Sequence, residues 1–333
     1  MIHFEENKIC SWRELLQAFW PKNFTEGEFI KRLIFTGSGK TAIKIILDYL
    51  KTIGVLENKN SEILVPRWLG YWVYNMMHKV AFPCLTYNEK VKVILVYHQY
   101  GFPQDMDEIM DFAENKKLII IEDCAHVYES YYKGKRLGTF GLASIFSFSK
   151  MFSTFMGGAI LTKDDNLCEY ASRMLKEDDF FISALSLFFK ILTEKISMKF
   201  VKYVEMSYAV YDRNTKINKV SLNLLQSELL KKAIEKRRKN YFFLLDYFKN
   251  YNFFQNLERD ALPYVAPLIT DEDKLNKISK SLNTAGIKTG IYHFDINRNL
   301  LNPKFVKCLW VPVHQGLTFD NMNRICEVIK GVI

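Results

Sequence analysis

The stretch FTGSGKTAIKIIL, from Phe35 to Leu47, opens on glycines and a Gly-Lys-Thr triplet and then runs into a helical pattern. A nucleotide-binding P-loop needs G-x-x-x-x-G-K-[ST], because its first glycine permits the turn that wraps backbone N–H groups around phosphates. Five positions before Gly39 stands Ile34, so the residue with that steric task is missing. What remains is a glycine-rich lead into a helix whose apolar positions, Ile43, Ile46, Leu47 and Leu50, define one buried face. Such a helix start offers N–H groups and a positive dipole end, a phosphate site of no fixed identity. An ordinary helix cap would read the same way.

The 333 residues are 49% hydrophobic and 25% charged, as in a soluble globular protein with room for two lobes. No run reaches the roughly 18 apolar residues of a membrane span. FFISALSLFFKIL (Phe180 to Leu192) is too short, contains Lys190, and reads as a buried or interfacial helix. The first residues are acidic and lack an apolar h-region, so no signal peptide is expected. Six scattered cysteines without a CxxC pair argue against zinc and against a disulfide framework, and fit a reducing cytoplasm. The net charge of +9 suits an anionic partner. The basic run KKAIEKRRKN (Lys231 to Asn240) has helical spacing and reads as a solvated helix face, so nucleic acid is not expected.

EILVP (from Glu62), KVILVYH (from Lys92), LIIIEDC (from Leu118), ASIFSFS (from Ala143) and GGAILT (from Gly157) read as buried strands. Helical stretches such as MDEIMDFAENKK (Met106 to Lys117) lie between several of them. Continuous apolar strands alternating with helices predict an α/β domain with a mainly parallel sheet. Ligands of such sheets gather at the carboxyl ends of the strands, where His98, Asp123 and Lys150 fall. From about Val220 the texture changes to a long amphipathic pattern over Leu222 to Asn250, a helix closed by Gly286 and a last helix from Thr318. The expected division is a large α/β domain over 1–215 and a small α+β domain over 216–333.

Lys150 follows a strand in the mostly apolar stretch FSFSKMFSTFMGGAIL. Desolvation there disfavours an ammonium, and a lysine so placed suits Schiff-base chemistry with a carbonyl; it also suits simple snorkelling to solvent. Ser147 is placed to bind a phosphate oxygen, and Gly157 and Gly158 allow close backbone approach. In IEDCAH, Asp123 ends a buried strand, where a carboxylate can hold a pyridine nitrogen protonated and make pyridoxal phosphate an electron sink. His126 is placed to line the same site, or to be structural. Phosphate cup, carboxylate and lysine, in this order and at strand ends, make one cofactor site.

With SGKTAI (Ser38 to Ile43), VYHQYGFPQDMDEI (Val96 to Ile109), EDCAHVYES (Glu122 to Ser130), GKRLGTFGLASIFSFSK (Gly134 to Lys150) and MGGAILT (Met156 to Thr162), the sequence resembles the DegT-type family of pyridoxal-phosphate sugar aminotransferases. PVHQGLT (Pro312 to Thr318) is similar to that family's C-terminal segment. The resemblance implies the aspartate-aminotransferase fold (fold type I): a mainly parallel central sheet flanked by helices, with a smaller C-terminal lobe. By the same resemblance Lys150 forms the Schiff base and acts as general base. Asp123 pairs with the pyridinium, the backbone of Gly39, Lys40 and Thr41 holds the phosphate with Ser147, and His126 lies beside the ring. The family takes its amino group usually from glutamate, gives it to a keto carbon of a nucleotide-linked deoxysugar, and works as homodimers with interface sites. Lysine at position 150 argues against the family's dehydratase branch, where histidine takes that place.

The sequence departs from the pattern at Gly70, where many members have an aromatic residue that stacks on the ring; Trp68, Tyr71 and Trp72 surround it. The segment before Lys150 is two residues shorter than the common form. Asn218 falls where an asparagine is donated across the dimer, and Tyr292, His293 and Arg298 where substrate contacts lie. A degenerate member that binds pyridoxal phosphate or a sugar nucleotide without transferring an amine is a second expectation. An ATP-dependent P-loop enzyme is a remote third.

Overall fold

Continuous apolar runs form the central strands, as their patterning predicts. The structure is a computed structural model that describes residues 2–3, 29, 32–58, 60–152, 154, 156–177, 215–226, 228–255 and 261–333. The stretch from Phe180 to Met206 lies outside the described residues. β1 (Ile2–His3), β2 (Leu33–Thr36), β3 (Glu62–Leu64), β4 (Phe82–Cys84), β5 (Val91–Tyr97), β6 (Ile119–Cys124), β7 (Tyr131–Tyr132), β8 (Lys135–Arg136), β9 (Ala143–Ser147) and β10 (Gly158–Thr162) lie in the first half. With them are helices α1 (Gly39–Thr52), α2 (Tyr71–His78), α3 (Met106–Lys116) and α4 (Asp165–Met174). Helices α5 (Lys219–Leu225) and α6 (Glu228–Tyr247) precede β11 (Ala266–Leu268), α7 (Glu272–Thr284), β12 (Ile287–Lys288), β13 (Ile291–Asp295), β14 (Phe305–Val311) and α8 (Phe319–Lys330).

The central sheet runs β2-β10-β9-β6-β5-β3-β4. It is parallel from β9 through β4, and antiparallel where β10 joins β9 and β2. Along β5, Val93 and Leu95 pack with α1, α2 and α4, while Ile94 and Val96 pack with α3 on the opposite face. Side chains alternate across a strand, so a strand covered on both faces reads as an unbroken apolar run. Ile43, Ile46, Leu47 and Leu50 of α1 are buried as expected, and Ile45 is buried too. Each such side chain contributes about 1.5–3 kcal/mol by leaving water.

A second, antiparallel sheet has the order β11-β14-β13. One apolar cluster joins Phe146 and Phe148 of the large sheet's side to Leu309 and Ile325, so the C-terminal elements share a core with the strand that leads to Lys150.

Two expectations change. The amphipathic pattern beyond Val220 is not one helix but α5 and α6, with the first ending at a C-cap on Gln226. The basic run on α6 is not wholly solvated. Lys231, Lys232, Glu235 and Lys239 face water, but Ile234, Arg237 and Asn240 are buried at helical spacing. Spacing alone could not distinguish that face, because Arg237 is a charged residue buried through its hydrogen bonds.

Candidate active site

Glu122 and Asp123 are neighbours on β6, and both are buried. Successive side chains of a strand face opposite ways. On the Glu122 side, Oε1 accepts the N–H groups of Phe140 (2.7 Å) and Gly141 (3.0 Å), and Oε2 accepts Gly138 N–H (2.7 Å) and His98 Nε2–H (3.1 Å). His98 Nδ1 accepts Gln104 N–H at 3.2 Å, which leaves the ring proton on Nε2, aimed at Glu122. A carboxylate has about four lone-pair sites, and all are used. Cys124 lies close enough for the three to resemble a metal cluster. Burial and the charges of Glu122 and Asp123 push its thiol well above the ordinary range, so a thiolate is disfavoured. With its nitrogens and oxygens spent on hydrogen bonds, the group is a brace that ties residues 138–141 to β6.

The Asp123 side is different. Its Oδ1 accepts Ala125 N–H at 3.0 Å. Burial pushes the carboxyl up from its ordinary range, and the nearby charge of Lys150 is the largest offset. Lys150 ends a single 3-10 turn after β9, in which Phe148 is buried; Met151 and Phe152, just beyond, are buried too. These apolar neighbours face the core while the turn leaves Lys150 exposed, so the desolvated setting expected of it is absent. The turn is held from the C-terminal half: Met151 O accepts Arg237 Nη2–H (2.8 Å) and Gln315 Nε2–H (3.1 Å).

Asp123, His126 and Lys150 line a cavity of about 400 Å³ with Trp68, Tyr292 and His293. Lys150 Nζ lies 3.4 Å from His126 Nε2. The His126 ring stacks on Tyr264 with centroids 4.0 Å apart, and Trp68 stacks on His293, also at 4.0 Å. Tyr292 stacks on Trp310 at 3.8 Å. Gly70 is in the cavity wall, Tyr71 is 72% exposed and outside it, and the Trp72 side chain lies outside the described residues. Sequence reasoning missed Tyr97, Gln99, Tyr100 and Trp310, which also line the cavity. Tyr97 ends β5, where the strand-end rule could have found it. Trp310 comes from the other sheet, and no local signal announces it.

Gly39, Lys40 and Thr41 form the first turn of α1, and they and Ser147 are not among the residues lining that cavity. Ser38 caps the helix, its Oγ accepting Thr41 N–H at 3.1 Å. A Cβ on Gly39 would stand 3.1 Å from Ser147 Cβ and 3.5 Å from its hydroxyl, and one on Gly158 would run into the Ser38 carbonyl carbon. Glycine is therefore required where the helix start, Ser147 and β10 converge. This turn is no P-loop: only Gly37 and Ser38 separate β2 from α1, and β2 is an antiparallel edge strand that contains Ile34.

Two further candidates, Asn218 and Arg298, also lie outside the cavity lining. The Asn218 side chain caps α5, with Oδ1 accepting Ser221 N–H at 2.7 Å and Nδ2 3.5 Å from Met156 Sδ. Arg298 sits in a left-handed turn (φ 50°) after β13, and its carbonyl accepts Asp105 N–H at 2.7 Å.

The sequence profile of the DegT/DnrJ/EryC1/StrS aminotransferase family matches residues 86–330. Over 80 residues, 23% of the chain, the sequence is 46% identical to the GDP-perosamine synthase of Escherichia coli O157:H7, and the matched stretch spans 22% of that relative. The fold is similar to that of Helicobacter pylori PseC, an aminotransferase involved in the biosynthesis of pseudoaminic acid (TM-score 0.69, 18% identity, 96% of this chain and 95% of that one). It is also similar to E. coli GDP-4-keto-6-deoxy-D-mannose-3-dehydratase, solved with bound hydrated PLP (TM-score 0.65, 20% identity, 96% of both chains). At these identities the structural likeness shows the shared fold, α/β with a mostly parallel central sheet.

Proposed function

The chain belongs to the DegT/DnrJ/EryC1/StrS aminotransferase family, and on that premise we propose that it uses pyridoxal phosphate to move an amino group from glutamate to a keto carbon of a nucleotide-linked deoxysugar. The observation that carries this reading is the meeting of Lys150, Asp123 and His126 in one cavity, with a glycine-bounded helix start beside Ser147 three residues before the lysine. These groups fit the cofactor: an amine, a buried carboxylate with acceptor capacity to spare, and a small-residue cradle for a phosphate.

When bound, pyridoxal phosphate supplies an electron-withdrawing ring that stabilises negative charge at a carbon losing its proton. The residues of the chain do the rest. The first-turn N–H groups of Gly39 and Lys40 and the Ser147 hydroxyl would hold the phosphate, and the Thr41 N–H would join them where the Ser38 cap gives it up. Asp123 favours a positive ring nitrogen, which in turn relieves the cost of burying its own charge. Lys150 carries the proton to and from the reacting carbon. Trp68 takes the stacking role that Gly70 cannot, and Tyr292 and His293 face the acceptor sugar. Arg298 reaches the substrate only if its turn moves.

A second copy of the chain completes the site. Trp68 lines the cavity and is exposed, and Tyr71 and Tyr74 are exposed on α2, directly after Gly70 in the cavity wall; a homodimer interface would cover such apolar side chains. Asn218 would cross that interface. The +9 charge serves the diphosphate of the substrate. None of the described helices is long and apolar enough to cross a membrane. The five described cysteines are free thiols, which supports a reducing cytoplasm as the location.

The test is the visible spectrum of the purified protein with pyridoxal phosphate, before and after glutamate. We expect a visible band that bleaches with glutamate and is absent from Lys150→Ala, whose amino transfer falls by about 10⁴-fold. A band that ignores Lys150, or no band, would overturn the assignment. A Lys150-dependent band that ignores glutamate would overturn the donor.

A further inference from the structure

His126 is held on both edges. Tyr97 Oη lies 2.7 Å from Nδ1, and Lys150 Nζ lies 3.4 Å from Nε2. The ring is buried and lies flat against Tyr264, with interplanar angle 6°, so it cannot turn to choose other partners. Tyr100 flanks it at 6.0 Å, Asp123 lines the same cavity, and Lys150 and Arg237 are the cations whose charge reaches it. Burial and those two charges keep the imidazole neutral.

A neutral imidazole has one N–H and one bare nitrogen, so its two edges are coupled. An ammonium on Lys150 can only donate; it takes Nε2 as acceptor and puts the ring proton on Nδ1, toward Tyr97. A lysine nitrogen that has lost its proton can accept, and then Nε2–H faces it and Nδ1 must be filled by a donor. A tyrosine hydroxyl serves both states, because it can accept from Nδ1–H or donate to bare Nδ1.

We propose that Tyr97 is a positioning residue whose hydroxyl lets His126 exchange tautomers and so follow the charge of Lys150. The proposal rests on the reading of Lys150 as the reacting amine. The proton balance closes: Lys150 gives a proton to Nε2, Nδ1 passes its own to Tyr97 Oη, and the hydroxyl proton leaves to water in the cavity that Tyr97 lines. One proton leaves the lysine, and neither ring nor phenol is left charged. In Tyr97→Phe a buried Nδ1 has no partner in either state, and an orphaned N–H is the rarer and costlier of the two. That variant therefore favours Nε2–H, with the exposed Lys150 ammonium turned to solvent.

Nitrogen-15 NMR of the His126 ring in the cofactor-free protein reads the tautomer directly. We expect Nδ1–H in the wild type near neutral pH and Nε2–H in Lys150→Glu, whose carboxylate can only accept. The same tautomer in both would overturn the coupling. In Tyr97→Phe the ring should hold Nε2–H with or without Lys150, and an intact exchange there would overturn the role of Tyr97. In the loaded enzyme Tyr97→Phe should lower kcat by roughly 10–100-fold with the glutamate KM little changed. A rise in KM alone would instead make Tyr97 a substrate contact and overturn the proposal. Failure of the cofactor assignment would appear as a missing visible band, while the tautomer exchange would persist.

Discussion

Glu122 and Asp123 are consecutive carboxylates on one strand, equally buried, yet they have opposite uses. Glu122 receives four donors and is finished as a chemical group. Asp123 receives one backbone N–H among the described residues and faces a cavity shared with a lysine. A buried carboxylate with every lone pair filled holds a fold together; one with lone pairs to spare has an energetic reason to meet a cation. The metal-like grouping of His98, Glu122 and Cys124 is thus the structural partner of the proposed site one residue away.

This contrast can be broken most sharply at Asp123. Asp123→Asn should cost amino transfer about 10³-fold, because a neutral amide does not hold a ring nitrogen protonated. Its urea-unfolding free energy should stay within about 1 kcal/mol of the wild type, since burial already disfavours the charge that is removed. A large loss of stability would show that Asp123 is structural after all. Glu122→Gln should do the reverse and lose about 3 kcal/mol, as an amide NH₂ is turned against backbone donors. An unchanged unfolding midpoint would refute the brace.

The histidines sharpen the same point. The pKa of His126 is held well below the usual 6.5, first by burial and then by Lys150 and Arg237. As pH falls below that value the unfolded chain takes up a proton that the folded protein refuses, so stability is present above it and lost below it. One proton gives a slope approaching about 1.4 kcal/mol per pH unit. His126→Gln should flatten the fall by that amount in urea unfolding followed from neutral to mildly acid pH; an identical slope would place the charged ring in the folded state. The smallest effect is expected at Gly70, where an added Cβ meets nothing within 4 Å and the backbone is not left-handed. Gly70→Ala should leave thermal stability within about 0.5 kcal/mol.

Much of the molecule was legible in advance. Five apolar runs gave strands within a residue or two of their observed bounds, since each is covered on both faces and needs an unbroken apolar stretch. Strand-end position led to Asp123 and Lys150 for the same geometric reason. Sequence did not separate the two faces of α6. Helical spacing identifies a stripe, but whether Arg237 in that stripe meets water or the carbonyls of Met151 and Tyr264 depends on what packs there.

The sequence by itself determined the alternation of strands and helices, the missing first glycine of a P-loop, and the order of glycine-rich helix start, carboxylate and lysine. These follow from local sterics and periodicity, which act over a few residues. Only the tertiary structure decided that Glu122 is spent and Asp123 is not, that Lys150 is exposed to a cavity, and that Tyr97 and Trp310 share that cavity. Those facts depend on which distant N–H groups, rings and charges arrive at one point, and burial and hydrogen-bond saturation are properties of that meeting rather than of any segment.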